Sequence, residues 1–529
     1  MMFNAQRISS RARKLSLAVA AGALLGTSAL SGCSVANSGE AGGGSGAPAA
    51  AGDTLRVVLQ QEPPTLEACD ANLTSTGIVD RSTITEPLIE RNPTSGELEP
   101  KLATEWSSDD DQTFTLKLRE GVKFHDGSDF TAEDAKATID RAVNSKIGCD
   151  VEGYVFGDDD LDAKVVDDYT LSVKSKKKDP ILPLRLSFLE VVPAETSATE
   201  KVREPIGTGP YQLDQWTAGQ SIDVSAFADY WGEQPAFKKA NYQWRSEASV
   251  RASMVTAGEA DIATGLSPED NIGELGVAYP NNETVALRMH DNAAPLNDIR
   301  IRQAVNYAID QETITKSLYG GRDKPAAQLV PEGVVGHNDS LQIWPYDLDK
   351  AKALVEEAKA DGVDTSAPIE FVVRTAQFPR IQELSQVIQQ NLSDIGLKVD
   401  LKMLETSQQL KYQVRPFPES DNALMVMIQH GNQAGDAAFT VDQYMTTKGA
   451  QSAFGNEEMD KLIAKADQAT GEDRQKDFEE VFKYQNEKLV QFAHISHQTG
   501  MLGISKSVSY EPNSSSGDEL RLAEATPAS

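Results

Sequence analysis

The groups with which this 529-residue chain could do chemistry are its six histidines, three cysteines and 80 acidic residues. His494 and His497 are the only close histidine pair. At i, i+3 on a helix they could hold a metal, but no cysteine or aspartate stands beside them to complete a ligand set. The acidic run Asp158-Asp159-Asp160-Leu161-Asp162 has the look of a calcium loop. It fails at the two positions that matter, with Ala163 where the turn needs glycine and Tyr169 where the bidentate glutamate belongs. A solvated turn is the reading that remains. The patterns G-x-S-x-G, H-E-x-x-H, Walker A and G-x-G-x-x-G do not occur in the sequence. A secreted hydrolase with a nucleophile placed by the fold is one alternative, and a passive surface protein is another. Arg300 and Arg302 could bind an anion, but Asp298 lies four residues before Arg302, and a surface ion pair accounts for that spacing.

Composition narrows the partners. Charged residues make up 25% of the chain and hydrophobic residues 40%, as in an ordinary globular protein, and the length calls for about three domains. A net charge of -30 gives a field that repels phosphate, so nucleic acid is not an expected partner. Arg7, Arg11, Arg13 and Lys14 precede an apolar run from Leu15 to Leu30, which reads as a secretory leader over 1–32. Leu30-Ser31-Gly32-Cys33 ends it like a bacterial lipobox, so Cys33 is the expected lipidated N-terminus and the membrane attachment. The Gly-, Ala- and Ser-rich stretch that follows makes 33–53 a flexible tether. With Cys33 acylated, Cys69 and Cys149 are the remaining thiols. The exported compartment favours a disulfide between them over two separate buried thiols.

The elements alternate between strand and helix periods. Leu55 to Leu59 reads as a first strand. Phe114, Leu116, Leu118, Val122 and Phe124 read as a strand pair broken at Glu120-Gly121. Thr131, with Asp134 three residues on, caps a helix carrying Ala135, Thr138, Ile139 and Ala142. Lys164–Val166 and Tyr169–Val173 form a hairpin about Asp167-Asp168. Gly207 and Gly209, closed by Pro210, suit a turn in which the backbone approaches something closely. Asn297 caps a helix with Ile301, Ala304, Val305, Ala308 and Ile309 on one side. Ile369 to Arg374, Pro379 to Ile395 and Leu397 to Leu401 make a βαβ unit with parallel strands, its helix closed by Gly396. Ala423 to Ile428 is a buried strand, and Glu457–Ala466 and Asp477–Phe492 are amphipathic helices.

These residues also carry a resemblance. The run PKLATEWSSDDDQTFTLKLREGVKFHDGSDFTAEDA, then Asp168-Tyr169-Thr170, Gly207-Thr208-Gly209-Pro210-Tyr211, Gly258-Glu259-Ala260-Asp261-Ile262 and NDIRIRQAVNYAID resemble the family 5 extracellular solute-binding proteins. Those are the receptors of peptide and nickel ABC importers. The resemblance spans Thr54 to Ile504. It implies an α/β, two-lobed periplasmic-binding-protein fold (type II, large cluster C-like), with a subdomain inserted in lobe one. The implied division is 54–90, 196–282 and 494–529 for lobe one, 91–195 for the insertion and 283–493 for lobe two. It implies a monomer that uses no cofactor or metal, captures a small-molecule or peptide ligand and hands it to permease subunits with their ATPases.

The ligand-binding residues expected from the resemblance are Glu67, Asp70, Thr74, Ser75, Thr208, Gly209, Tyr211, Gln377, His430, Asn432 and Asp436. The family's peptide receptors hold the ligand's amino group with an aspartate in a lobe-two loop. Here that stretch reads Ile428-Gln429-His430-Gly431-Asn432-Gln433-Ala434-Gly435-Asp436, with neutral amides near the anchor position. An amide supplies no opposite charge, and charge-assisted hydrogen bonds are about twice as strong as neutral ones. Glu67 or Asp70 on the facing loop is therefore expected to supply the carboxylate. An opine-like conjugate, a glycoside or a nickel complex are the alternative ligands.

Overall fold

The computed structural model describes residues 52–151, 155–157, 160–270, 272–375 and 377–529. The leader 1–32, Cys33, most of the 33–53 tether, and Asp158 and Asp159 of the acidic run lie outside the described residues.

Strand Thr113–Leu118 buries Phe114, Leu116 and Leu118 and exposes Thr115 and Lys117, as its two-residue period requires. It pairs antiparallel with Ala103–Ser107 on one side and Thr170–Ser175 on the other, and Leu161–Asp167 completes a four-stranded sheet. Helix Ala132–Ile139 lies in the same core, and the Thr131 N–H donates to the Asp134 carboxylate at 2.8 Å, the return half of a capping box. The second strand expected over Val122–Phe124 does not form. The Phe124 N–H donates to the Ser128 carbonyl and the Phe130 N–H to the Val122 carbonyl, so the segment's backbone bonds are used in a tight loop that buries both apolar side chains. A disulfide joins Cys69 to Cys149, tying this subdomain to the loop after the first strand.

The other elements organise around one eleven-stranded sheet that runs through both lobes. In one lobe, Thr54–Leu59 pairs in parallel with Lys239–Trp244 and with Ile262–Ala263. In the other, Pro368–Arg374 pairs in parallel with Lys398–Leu404 and with Ala423–Gly431. Between them run two long antiparallel strands, Gly276–Met289 and Phe492–Ile504, that belong to both halves. The apolar runs in lobe two are unbroken because both faces of the sheet are covered. Ile369, Phe371, Val373, Met425 and Met427 meet the stripe Ile381, Leu384, Ile388 and Leu392 of helix Ile381–Asp394. Val372, Leu424, Val426 and Ile428 face the helices Glu457–Gln468 and Gly471–Tyr484.

Three local expectations are corrected. The last helix does not reach Phe492: it ends at Tyr484, a wider turn spans Gln485–Leu489, and Phe492 opens the crossing strand by pairing with Arg288. The helix Ile299–Ala308 is capped by Asp298, not Asn297, through a 2.8 Å bond from the Arg300 N–H. Arg302 is not a surface partner of Asp298. It is buried, and its guanidinium donates to the carbonyls of Leu296 and Leu489, while Arg300 takes Asp298 and Asp361.

Candidate ligand-binding cleft

A cavity of 650 Å³ opens where the two lobes meet above the crossing strands. Its floor lies on the crossing strands. Tyr279, Asn281 and Glu283 of one crossing strand line it beside Gln498 and Gly500 of the other, where the pairing is irregular between Pro280 and Thr284. Gly500 is required there, since a Cβ at that position would lie 2.2 Å from the Tyr279 ring. Lobe one contributes Gln60 and Gln61 after its first strand, and Thr74, Ser75 and Ile78 from helix Thr74–Asp80. Lobe two contributes Arg374 at the end of its strand, then Gln377 and Phe378, with Tyr319, Arg322 and Asp323 opposite. The C-terminal segment adds Ser516, Gly517 and Asp518. Asn281, Gln498 and Thr499 also line a second cavity of 540 Å³, so the two volumes meet at these residues.

Direct bonds span the cleft. Arg380 of lobe two pairs with Glu269 of lobe one at 3.2 Å, and the Gln433 amide donates to Asp518 at 2.7 Å. The Thr74 hydroxyl donates to the other oxygen of Asp518, also at 2.7 Å. Glu283 accepts from the Asn281 and Gln429 amides at 2.9 and 2.6 Å, and Gln429 also donates to Gln498. Burial, reinforced by the charge of Asp518, pushes the Glu283 carboxyl up to about 7. Burial likewise raises Asp323 to about 6, against hydrogen bonds from the Thr499 N–H and Ser496.

Of the residues expected to bind ligand, the structure brings Thr74, Ser75 and Gln377 to the cavity and directs the others inward. Glu67 is fully buried and held bidentately by Arg141 at 2.6 and 2.8 Å, with further bonds from the Val202 and Cys69 N–H groups. Asp70 pairs with Lys201 at 2.7 Å and accepts from the Asp150 N–H. Neither carboxylate reaches the cleft, because a buried charge needs a fixed cation and both have found one inside lobe one and its subdomain. Thr208 donates to Glu86, and the Tyr211 hydroxyl to the Phe237 carbonyl. What Gly207 and Gly209 approach is protein: an added Cβ would lie 2.0 Å from the Ile84 carbonyl oxygen and 2.4 Å from that of Thr83, respectively. His430 bonds Thr440 at 2.7 Å, and burial lowers its imidazole to about 4. Asn432 is used on the carbonyls of Asn282 and Leu329, and Asp436 on Arg474 at 2.7 Å. His494 and His497 fall on a strand rather than on a helix. Among the described residues no group of three or more His, Cys, Asp or Glu could hold a metal.

The residues that sequence reasoning missed are Glu283, Asp518, Arg374, Arg322 and Tyr279. Alternation of Tyr279, Asn281 and Glu283 was a usable signal. Asp518, in the stretch Asn513-Ser514-Ser515-Ser516-Gly517-Asp518, offered none.

A single sheet crossed twice between lobes, with the cleft over the crossing strands, defines the two-lobed periplasmic-binding-protein fold. The chain belongs to the bacterial extracellular solute-binding proteins, family 5, whose profile matches residues 97–466. It is 32% identical over 316 residues to the glutathione-binding protein GsiB of Salmonella typhi, covering 57% of this chain and 60% of that protein. It is 29% identical over 363 residues to the dipeptide-binding protein of Escherichia coli (strain K12), covering 61% and 66%. The chain thus spans about three-fifths of the length of these relatives. In structure it is similar to the ABC transporter-associated periplasmic binding protein DppA from Helicobacter pylori in complex with the peptide STSA. There the TM-score is 0.75 and the identity 18%, over 90% of this chain and 98% of that one, a likeness that establishes the fold.

Proposed function

We propose that the protein is the extracytoplasmic substrate-binding receptor of an ABC importer, and that it captures a short peptide between its lobes. The observation that carries this reading is the cleft itself. Both lobes wall it, the crossing strands floor it, and polar side chains from each, such as Gln60, Ser75, Asn281, Arg322 and Gln498, line it. Ligand then stabilises the closed form by its greater affinity for it, which is the signal a permease reads. The relatives named for glutathione and dipeptide binding support a peptide as the solute class. The role is binding, not catalysis. The lobes divide as 54–90, 196–282 and 494–529 against 283–493, with 91–195 as the insertion, and Cys33 carries the lipid that holds the monomer at the outer face of the cell membrane.

Small-angle scattering with and without ligand tests the reading, using ligands found in a thermal-shift panel of di- to pentapeptides. A smaller radius of gyration with a stabilising peptide is expected. Unchanged dimensions with a tight ligand bound would overturn closure, and no response to any peptide would overturn the peptide class.

A further inference from the structure

Lobe two meets the rest of the molecule at the cleft rim and again along the insertion 91–195, at a contact that shares no residue with the lining of the 650 Å³ cavity. Phe439, on the lobe-two helix Ala438–Tyr444, is 6% exposed because it is buried in the insertion's core, with Ala434 beside it. Its ring centroid lies 6.0 Å from that of Phe188, and the Arg185 guanidinium sits over it at 4.9 Å. In the other direction, Ile181 of the insertion packs against the lobe-two core, and the Gln468 amide donates to the Lys178 carbonyl at 3.4 Å. The Arg91 guanidinium fills the space a side chain on Gly435 would need, 2.0 Å from an added Cβ. Charge is complementary across the contact: Arg185 and Lys177 act on the Asp442 carboxylate, and Asp436 acts on Arg91.

We propose that the insertion is a closure latch: as the lobes close it takes up Phe439 between Phe188 and Arg185, and so holds the closed form from a place that the ligand does not touch. The insertion moves with lobe one, because the Cys69–Cys149 bridge, the bidentate Glu67–Arg141 pair and the bond from the Asp150 N–H to Asp70 tie it there. The chain passes between that body and lobe two within the strands Gly276–Met289 and Phe492–Ile504. A rotation hinged on those strands that opens the cleft therefore draws lobe two away from the insertion. Opening then costs Phe439 its apolar burial, its partner ring and its cation together. At the rim it costs the Arg380–Glu269 pair, whose side chains are 34% and 45% exposed, and such exposed pairs contribute little. The latch thus sets how much of any ligand's affinity is consumed in closing the lobes. The inference rests on the two-body division given above and not on which solute is bound.

Paired cysteines read closure at two places in the full mature protein without added ligand. Lys178→Cys with Gln468→Cys spans the latch, and Glu269→Cys with Arg380→Cys spans the cleft rim. The rate at which a short bis-maleimide bridges the rim pair follows the fraction of closed molecules, even where that fraction is small. Phe439→Ala is expected to slow rim bridging roughly tenfold and Arg185→Gln about threefold, although neither residue touches the rim. Each comparison keeps the same rim pair, so loss of the native rim ion pair cancels. Arg185→Gln, the milder change, decides the matter where Phe439→Ala does not fold. An unchanged rim rate in Arg185→Gln and in folded Phe439→Ala overturns the latch. A latch pair that bridges equally fast whether or not the rim pair is already bridged also overturns it, because the contact then persists in the open form. Where peptides bind, both variants should weaken all of them by one common factor, and a factor that differs from peptide to peptide counts against the latch. If no peptide binds, the peptide reading fails while the rim rates still decide the inference.

Discussion

The carboxylates of the loop after the first strand and those of the cleft are the same chemical group in opposite circumstances. Glu67 has a bidentate arginine and two backbone N–H donors, and Asp70 has a lysine. Glu283 and Asp518 have amides and a hydroxyl, and no cation within the described residues. A carboxylate buried with its counter-ion is a finished structural unit, and removing either half leaves an uncompensated charge. A carboxylate oriented by neutral donors at the edge of a cavity is unfinished, and a ligand is what can complete it. Burial and proximity to a loop are thus poor guides to a binding role; the identity of the partner decides it.

The largest effect that would sharpen this contrast is expected on the paired side. Arg141→Met should cost about 3–5 kcal/mol in chemical denaturation by stranding Glu67, and the double variant with Glu67→Gln should regain much of it. Ligand preference of the folded fraction should not change; if it does, Glu67 is not confined to structure. Next in size, reduction of Cys69–Cys149 should lower stability by about 2–4 kcal/mol, because the bridge closes a loop of 80 residues. Two free thiols titrated in the denatured, unreduced protein would contradict the bridge.

Smaller effects are expected on the unpaired side. Glu283 sits at about 7 in the free protein, with Asp518, Tyr279 and Arg374 as the charged and titratable groups around it. A bound cation favours its ionised form, so affinity should be fully present above that value and fall as pH drops through it, by up to about tenfold per unit. Glu283→Gln should give a flat profile over this range; a wild-type profile that is already flat would break the contrast. Smallest of all, Thr74→Val removes one donor to Asp518 and should weaken binding by about 1 kcal/mol, with a melting temperature close to that of the wild type.

Much of the fold was legible because periodicity is a local property. Alternation placed Phe114, Leu116 and Leu118 on one face, and the stripe Ile381, Leu384, Ile388 and Leu392 placed a helix against the sheet. The unbroken apolar run from Ala423 to Ile428 reads as a buried strand, and it lies in the strand Ala423–Gly431, covered on both faces. The losses came where long-range pairing outweighs local pattern. Phe492 keeps its apolar role, but it does so from a strand, because Arg288 lies across from it.

The chain by itself determined the family, through motifs at near-fixed spacing, and the βαβ core of lobe two, through hydrophobic period. It also marked Thr74, Ser75 and Gln377 as cleft residues by resemblance. Only the tertiary structure decided which charges are spent and which are free. Glu67 meets Arg141, 74 positions away, and Thr74 meets Asp518, 444 positions away. Such partners are chosen by how the sheet is crossed and where the C-terminal segment returns, and no window of neighbouring residues contains that information.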